Sequence, residues 1–326
     1  MARVFIEGFE SGAIAGWDVA YNANISGSYK YTGNYGLQFG SGGYLHKYVA
    51  SQSSYYAALK RWYNGGYQRG LVGFYEGTTL HAGIELGYSA GNYYTIAYRG
   101  GTLVDTDYTY FPYNTWLLIE VYALINDSTG AIIVKINGIE TVNFSGDTRN
   151  GGTSGVIDGI RFGRTATPND VNGPYWDDLV IDDSEWIGNT AILGLSPSGA
   201  GSNTNWTPSA GSNYQTVDEV PASDADYNAV NSVDQIDTFA MGDLPFSPES
   251  IKAVQVSVRA QKEGASTPQN IAPTVKSGST TDSGADQALE TSFRAHSKIW
   301  PTDPDTASAW TESGVNALEA GYKSRT

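Results

Sequence analysis

The residues best suited to chemistry are aromatic and cationic. Trp62, Tyr63, Tyr67 and Arg69 form one run, and Tyr93, Tyr94, Tyr98 and Arg99 form another. Aromatic faces stack on pyranose rings, and a guanidinium beside them bonds sugar hydroxyls. The same pattern equally suits a packed sandwich interior or a contact between subunits, because an aromatic at every second strand position serves both. Nucleophilic catalysis finds no support. His46, His81 and His296 are isolated from one another, no Gly-x-Ser-x-Gly elbow surrounds a serine, and cysteine is absent. Each histidine therefore reads as a surface or packing residue, and the same count excludes zinc. The carboxylate pairs Asp177-Asp178 and Asp182-Asp183 are adjacent, so on a regular strand their side chains point to opposite faces. No P-loop or dinucleotide fingerprint is present, and the Gly-Gly pairs sit where turns explain them.

The elements that must position these residues are strands. Trp116 to Leu124 is too apolar to face water on either side, Asn126 to Gly130 is a turn, and Ala131 to Ile136 returns. Asn137-Gly138 supplies what a type I′ hairpin turn demands, with Ile139 to Phe144 following. Many short strands with no helical period indicate a sandwich or jelly roll. Tyrosine then divides the chain: 20 of the 23 lie in residues 1–188. Residues 189–202 hold the Ser-Pro-Ser-Gly-Ala-Gly-Ser stretch of a linker, and 203–326 form a second, smaller β domain. In that second part Ile251, Val254, Val256 and Val258 place apolar groups on one strand face, and Thr311 caps a short helix.

Composition narrows the setting. A net charge of −15 without a basic run argues against nucleic acid as a partner. No apolar stretch approaches the roughly 20 residues that span a bilayer, so no membrane insertion is expected. Met1 to Glu7 lacks the apolar segment of a secretory leader, and the absence of cysteine leaves the fold to burial alone.

Trp62 to Asp183 resembles the laminin-G-like, concanavalin-type jelly roll. Asn114-Thr115-Trp116, Asp127-Ser128-Thr129-Gly130, Val134 to Gly138, Ile157 to Gly163 and Trp176 to Asp183 carry the likeness. Phe9-Glu10-Ser11-Gly12 with Trp17 resembles the start of related carbohydrate-binding jelly rolls, whose first and last strands lie side by side. The fold implied is all-β: a concanavalin/laminin-G-like β-sandwich, then a smaller sandwich-like domain with one short C-terminal helix. That juxtaposition implies a structural Ca2+ held by Glu7 or Glu10 with Asp177 or Asp178, the alternative being acids that bond backbone amides. No other cofactor is expected. Glucanases of this fold carry Glu-x-Asp-x-x-Glu on one strand, which this chain lacks, so the expectation is a protein without catalytic activity.

Phe144 to Arg149, Trp206-Thr207-Pro208, Ile251 to Ala260, Trp300 to Pro304 and Leu318 to Lys323 resemble structural proteins of tailed bacteriophages. That resemblance implies a virion component, a capsid decoration or tail-associated protein made in the bacterial cytoplasm. Its partners would be other virion proteins, further copies of itself and a host-surface polysaccharide. The alternative is a non-catalytic bacterial carbohydrate-binding protein.

Overall fold

In Thr115–Leu124 every second side chain (Leu117, Ile119, Val121, Ala123) is fully buried, while Trp116, Leu118 and Tyr122 on the other face are half-covered. This is the strand the sequence marks as apolar on both sides. A segment after residue 182 covers its outer face: Trp186 packs on Tyr56 and Tyr122, and the Gly188 amide donates to Glu120. The computed structural model describes residues 3–63, 70–89, 92–109, 111–112, 114–151, 154–165, 174–265 and 268–326. Its chain divides into two units, Met1–Leu193 and Gly194–Thr326.

Among the described residues the first unit contains thirteen strands: β1 (Arg3–Glu7), β2 (Val19–Ser26), β3 (Gly36–Gln52), β4 (Ser54–Tyr63), β5 (Gly70–Glu76), β6 (Thr79–Ser89), β7 (Asn92–Arg99), β8 (Thr102–Asp107), β9 (Thr115–Leu124), β10 (Gly130–Ile136), β11 (Ile139–Gly146), β12 (Ile157–Gly163) and β13 (Tyr175–Asp182). They run β11-β10-β9-β4-β13-β3-β12-β5-β6-β7-β8, with β1 added to β13 and β2 to β3. All pairings are antiparallel. The 17-residue β3 belongs to both layers: Leu37 and Gln38 pair with β13, and Tyr44 to Gln52 pair with β12. The first strand lies against the last, Ile6 opposite Val180, as the jelly-roll resemblance implies. Leu37, Phe39, Leu59, Phe74, Ile119, Phe162 and Trp176 fill the space between the layers. The Asn137-Gly138 turn takes positive φ at both residues (51° and 80°), and Asn137 Oδ1 accepts the Leu118 amide.

The second unit begins earlier than the sequence suggests. The Gly/Ser stretch read as a linker contains β14 (Pro197–Thr204), which pairs with β17 (Ile236–Met241). Two short strands intervene, β15 (Thr207–Pro208) and β16 (Asn228–Ala229). Beyond them lie β18 (Val254–Ala260), β19 (Asn270–Ser277), β20 (Thr280–Ser283), β21 (Gln287–Ala288), β22 (Arg294–Trp300), α1 (Glu312–Asn316) and β23 (Glu319–Arg325). The main sheet runs β14-β17-β23-β19-β20, and the β18–β22 ladder packs on it through Val256 and Trp300 beside Val275 and Trp310. Thr311 Oγ1 accepts the Gly314 amide at 3.0 Å and starts the short helix α1. The chain is all-β, a sandwich followed by a smaller sandwich-like unit.

Candidate functional site

The face of β3 turned away from the core presents Tyr44, His46 and Tyr48, in step with the period of two. Antiparallel pairing sets Arg161 of β12 opposite His46, and Gly159 opposite both Tyr48 and Tyr75 of β5. Tyr44, His46, Tyr48, Tyr75 and Arg161 line a cleft of about 480 Å³, together with Leu80 and Thr165. Behind two of its rings the backbone is glycine for a steric reason. A Cβ on Gly159 would stand 2.6 Å from the His46 ring, and one on Gly73 would stand 2.7 Å from the Tyr75 ring. Both rings therefore press an edge against backbone that has no side chain, and they stand 71° to one another.

Polar groups in this cleft are left unsatisfied by the protein. Both ring nitrogens of His46, the Tyr75 hydroxyl and Nε of Arg161 are buried without a hydrogen-bond partner among the described residues. The guanidinium of Arg161 instead lies 4.2 Å from the Tyr44 ring centre and 4.5 Å from that of Tyr75. Burial, reinforced by the Arg161 charge, pushes the His46 imidazole below its usual pKa and keeps it neutral. Burial pushes the Tyr75 phenol up, against the opposing pull of Arg161. The cleft thus offers a neutral imidazole, a protonated phenol and a cation, set among aromatic faces.

The sequence expects His46 to be a surface or packing residue; it is buried against Tyr48 and Tyr75 and also lines this cleft. The signal was the Tyr-x-His-x-Tyr alternation on one strand, completed only when β12 supplies Arg161. His81 does serve packing: its ring accepts the Asn150 amide at 3.0 Å and meets Glu76 at 3.3 Å.

The aromatic set singled out from sequence is not brought together. Trp62 stands on the outer face of β4, in the layer opposite β7. There it meets Trp116 edge-on at 5.8 Å, near the stacked pair Tyr29–Tyr175. That neighbourhood holds a smaller cleft of about 240 Å³, where Lys60 lies over the Tyr31 ring and bonds Asn189. Tyr94 lies across Gly87 beside Tyr108, and Arg99 is paired with Asp147. Tyr67 and Arg69, and the side chains of Tyr63 and Tyr93, lie outside the described residues.

The carboxylates expected to hold calcium do gather where β1 meets β13, but each accepts backbone amides. Glu7 accepts the Phe9 amide and Glu10 those of Asn34 and Tyr35. Asp177 accepts Tyr31 and Thr32 amides, and Asp178 accepts the Thr32 hydroxyl and the Ile192 amide. Adjacent residues on a strand should diverge, yet both aspartates reach the loop at residue 32. The reason is a bulge, with Asp178 at φ 48°, which cancels the alternation. Burial, together with the charge of Asp178, raises Asp177 to about 8. Burial raises Asp178 to about 7 against the pull of Ile192, Thr32 and Lys60. Among the described residues no three such groups converge as a metal cage.

No family model matches the chain, and no curated protein does. Among solved structures it is similar to the alginate lyase Aly36B, at 15% identity over 56% of this chain and 93% of that one, with TM-score 0.39. It is similar to the cellulose-induced protein Cip1, at 14% identity over 57% and 100%, with TM-score 0.40. A third is a carbohydrate esterase from the Shiga toxin-encoding bacteriophage phi24B, at 12% identity over 58% and 99%, with TM-score 0.40. The expectation of a protein without catalytic activity is corrected on this finding, since structures similar to the chain include lyases and an esterase. The absent Glu-x-Asp-x-x-Glu motif excluded one kind of carboxylate chemistry, not the imidazole and phenol that the cleft holds.

Proposed function

We propose that the first unit binds polysaccharide in the Tyr44–His46–Tyr48 cleft, and that the chain does so as a component of a bacteriophage particle. The observation that carries the binding reading is the arrangement of aromatic rings and unsatisfied polar groups along one cleft. Sugars present apolar ring faces and equatorial hydroxyls, and such a surface answers both. The particle setting rests on the likeness in sequence to tailed-phage structural proteins. In this reading the smaller unit docks to virion neighbours, as a capsid decoration or tail-associated part. Copies are placed by particle symmetry, and the sandwich contacts a host-surface glycan.

Affinity electrophoresis through gels containing polysaccharides tests the binding. Tyr48 is 59% exposed at the cleft rim, so Tyr48→Ala removes a stacking face with little effect on the core. It should weaken retardation about tenfold, or ~1.4 kcal/mol. Equal retardation of parent and variant would sink the cleft as the site. For the setting, the protein should sediment with purified particles; recovery only from the soluble lysate would count against it.

A further inference from the structure

We infer that the cleft selects an acidic polysaccharide, with Arg161 as the receptor for a carboxylate or sulfate on the sugar; this rests on the binding reading above. In a chain with 34 acidic and 19 basic residues, Arg161 is one of a few cations, with Lys60 and Lys135, that lie over aromatic rings and outside the ion pairs. Arg3, Lys47, Arg99, Arg149, Arg259, Lys276 and other cations each lie against a carboxylate. Arg161 forms no ion pair and no hydrogen bond among the described residues, although acids are abundant. Two tyrosine rings hold it in place instead, from the strands on either side. A cation fixed by ring faces keeps its N–H groups available, and its planar fork matches a carboxylate or sulfate edge.

The surroundings favour the same ligand. The carboxylates nearest His46 are engaged elsewhere: Asp18 accepts the Tyr48 amide and pairs with Lys47, and Asp158 accepts the Gly77 amide. The buried Tyr75 hydroxyl lacks an acceptor, and an anionic group supplies one. A neutral sugar would leave the guanidinium and phenol partly unmet. That asymmetry between meeting and stranding buried polar groups is what gives discrimination. The net charge of −15 repels polyanions in general, so retention of one points to a local receptor.

The test uses the full chain with three probes: polygalacturonate, dextran sulfate and dextran. At low salt one or both polyanions should bind about ten- to a hundredfold more tightly than dextran, in line with charge-assisted hydrogen bonds. Which polyanion wins tells carboxylate from sulfate. Arg161→Gln should abolish the preference, while Arg161→Lys, which keeps the charge and loses the fork, should retain part of it. Circular dichroism confirms that each variant is folded. If Arg161→Gln does not fold, the parent's own ranking and the lysine variant decide the matter. Dextran bound as well as either polyanion, or an acid preference that survives Arg161→Gln, overturns the inference and leaves the cleft intact as a sugar site. A folded parent that retains none of the three overturns both.

Discussion

Gly159→Ala is the perturbation that tests how the cleft is built. The new methyl would begin 2.6 Å from two atoms of the His46 ring, where an ordinary carbon contact needs about 3.5–4.0 Å. The ring must therefore shift by roughly 1 Å. It is 3% exposed, with Tyr48 edge-on at 4.9 Å and Tyr75 at 5.8 Å, so it cannot retreat freely. Overpacking of this kind costs about 1–3 kcal/mol. Alanine at a non-positive φ returns about 0.4–1 kcal/mol by restricting the unfolded chain. The net is ~1.3 kcal/mol, which for a unit of this size is a fall of roughly 4 °C in melting temperature. Calorimetry on parent, Gly159→Ala, His46→Ala and the double variant gives a complete cycle. Once the imidazole is gone, the methyl has room, and Gly159→Ala should become neutral or stabilising. A single variant that melts at or above the parent refutes the steric account. Equal effects of Gly159→Ala with and without His46 would refute it as well.

Two titrations follow from the buried carboxyls. Asp177 and Asp178 keep protons in the folded state that the unfolded chain releases near pH 4, so folding takes up protons and stability falls as pH rises toward 8. Melting of the first unit should drop as pH rises from about 4 toward 8, and Asp178→Asn should flatten that slope; a level parent profile would contradict it. Repeating the scan at pH 8.5 with added Ca2+ tests the cation expected there, since a bound ion raises melting with its concentration and no rise speaks against one. Glu319 behaves in the opposite sense. Burial acts against its charge, but the Ser202 amide, the Thr238 hydroxyl, Lys276 and the Ser202 hydroxyl outweigh it and hold the carboxyl at about 2. The stability it gives the second unit is present above about pH 4.5 and lost below it, on the order of 1–2 kcal/mol. Glu319→Gln should lower melting at pH 7 and blunt the loss between pH 5 and 3; an unchanged acid limb would disprove the assignment.

Local signals were readable and distant ones were not. The Asn137-Gly138 hairpin, the doubly apolar β9 and the Thr311 cap each depend on a few neighbouring residues, and each forms as the chain pattern implies. The stretch at 197–204 misled because its composition is that of a flexible tether. An edge strand asks only for backbone bonds, and Gly201 lies so near the Thr238 carbonyl that any side chain would collide. The cleft was illegible for another reason. His46 and Arg161 are far apart in sequence and meet only through the β3–β12 register. Counting aromatics selected Trp62 and Tyr94, which the two layers then carry apart. The bulge at Asp178 likewise defeated the rule of alternation, because a single positive φ is not written in residue type.

The placement of the last strands has a consequence for how the chain acquires its structure. β13 is joined to β1, β3 and β4, so the first layer cannot close until about residue 182 has been made. The second unit repeats the arrangement, since β23 lies between β17 and β19 and its final residues are the middle of the sheet. Both units therefore depend on contacts between segments distant in sequence, which folds slowly and leaves earlier strands waiting with open edges. During synthesis each unit stays incomplete until its closing strand emerges. Deleting Glu319–Arg325 would remove the centre of the second sheet, not trim a tail.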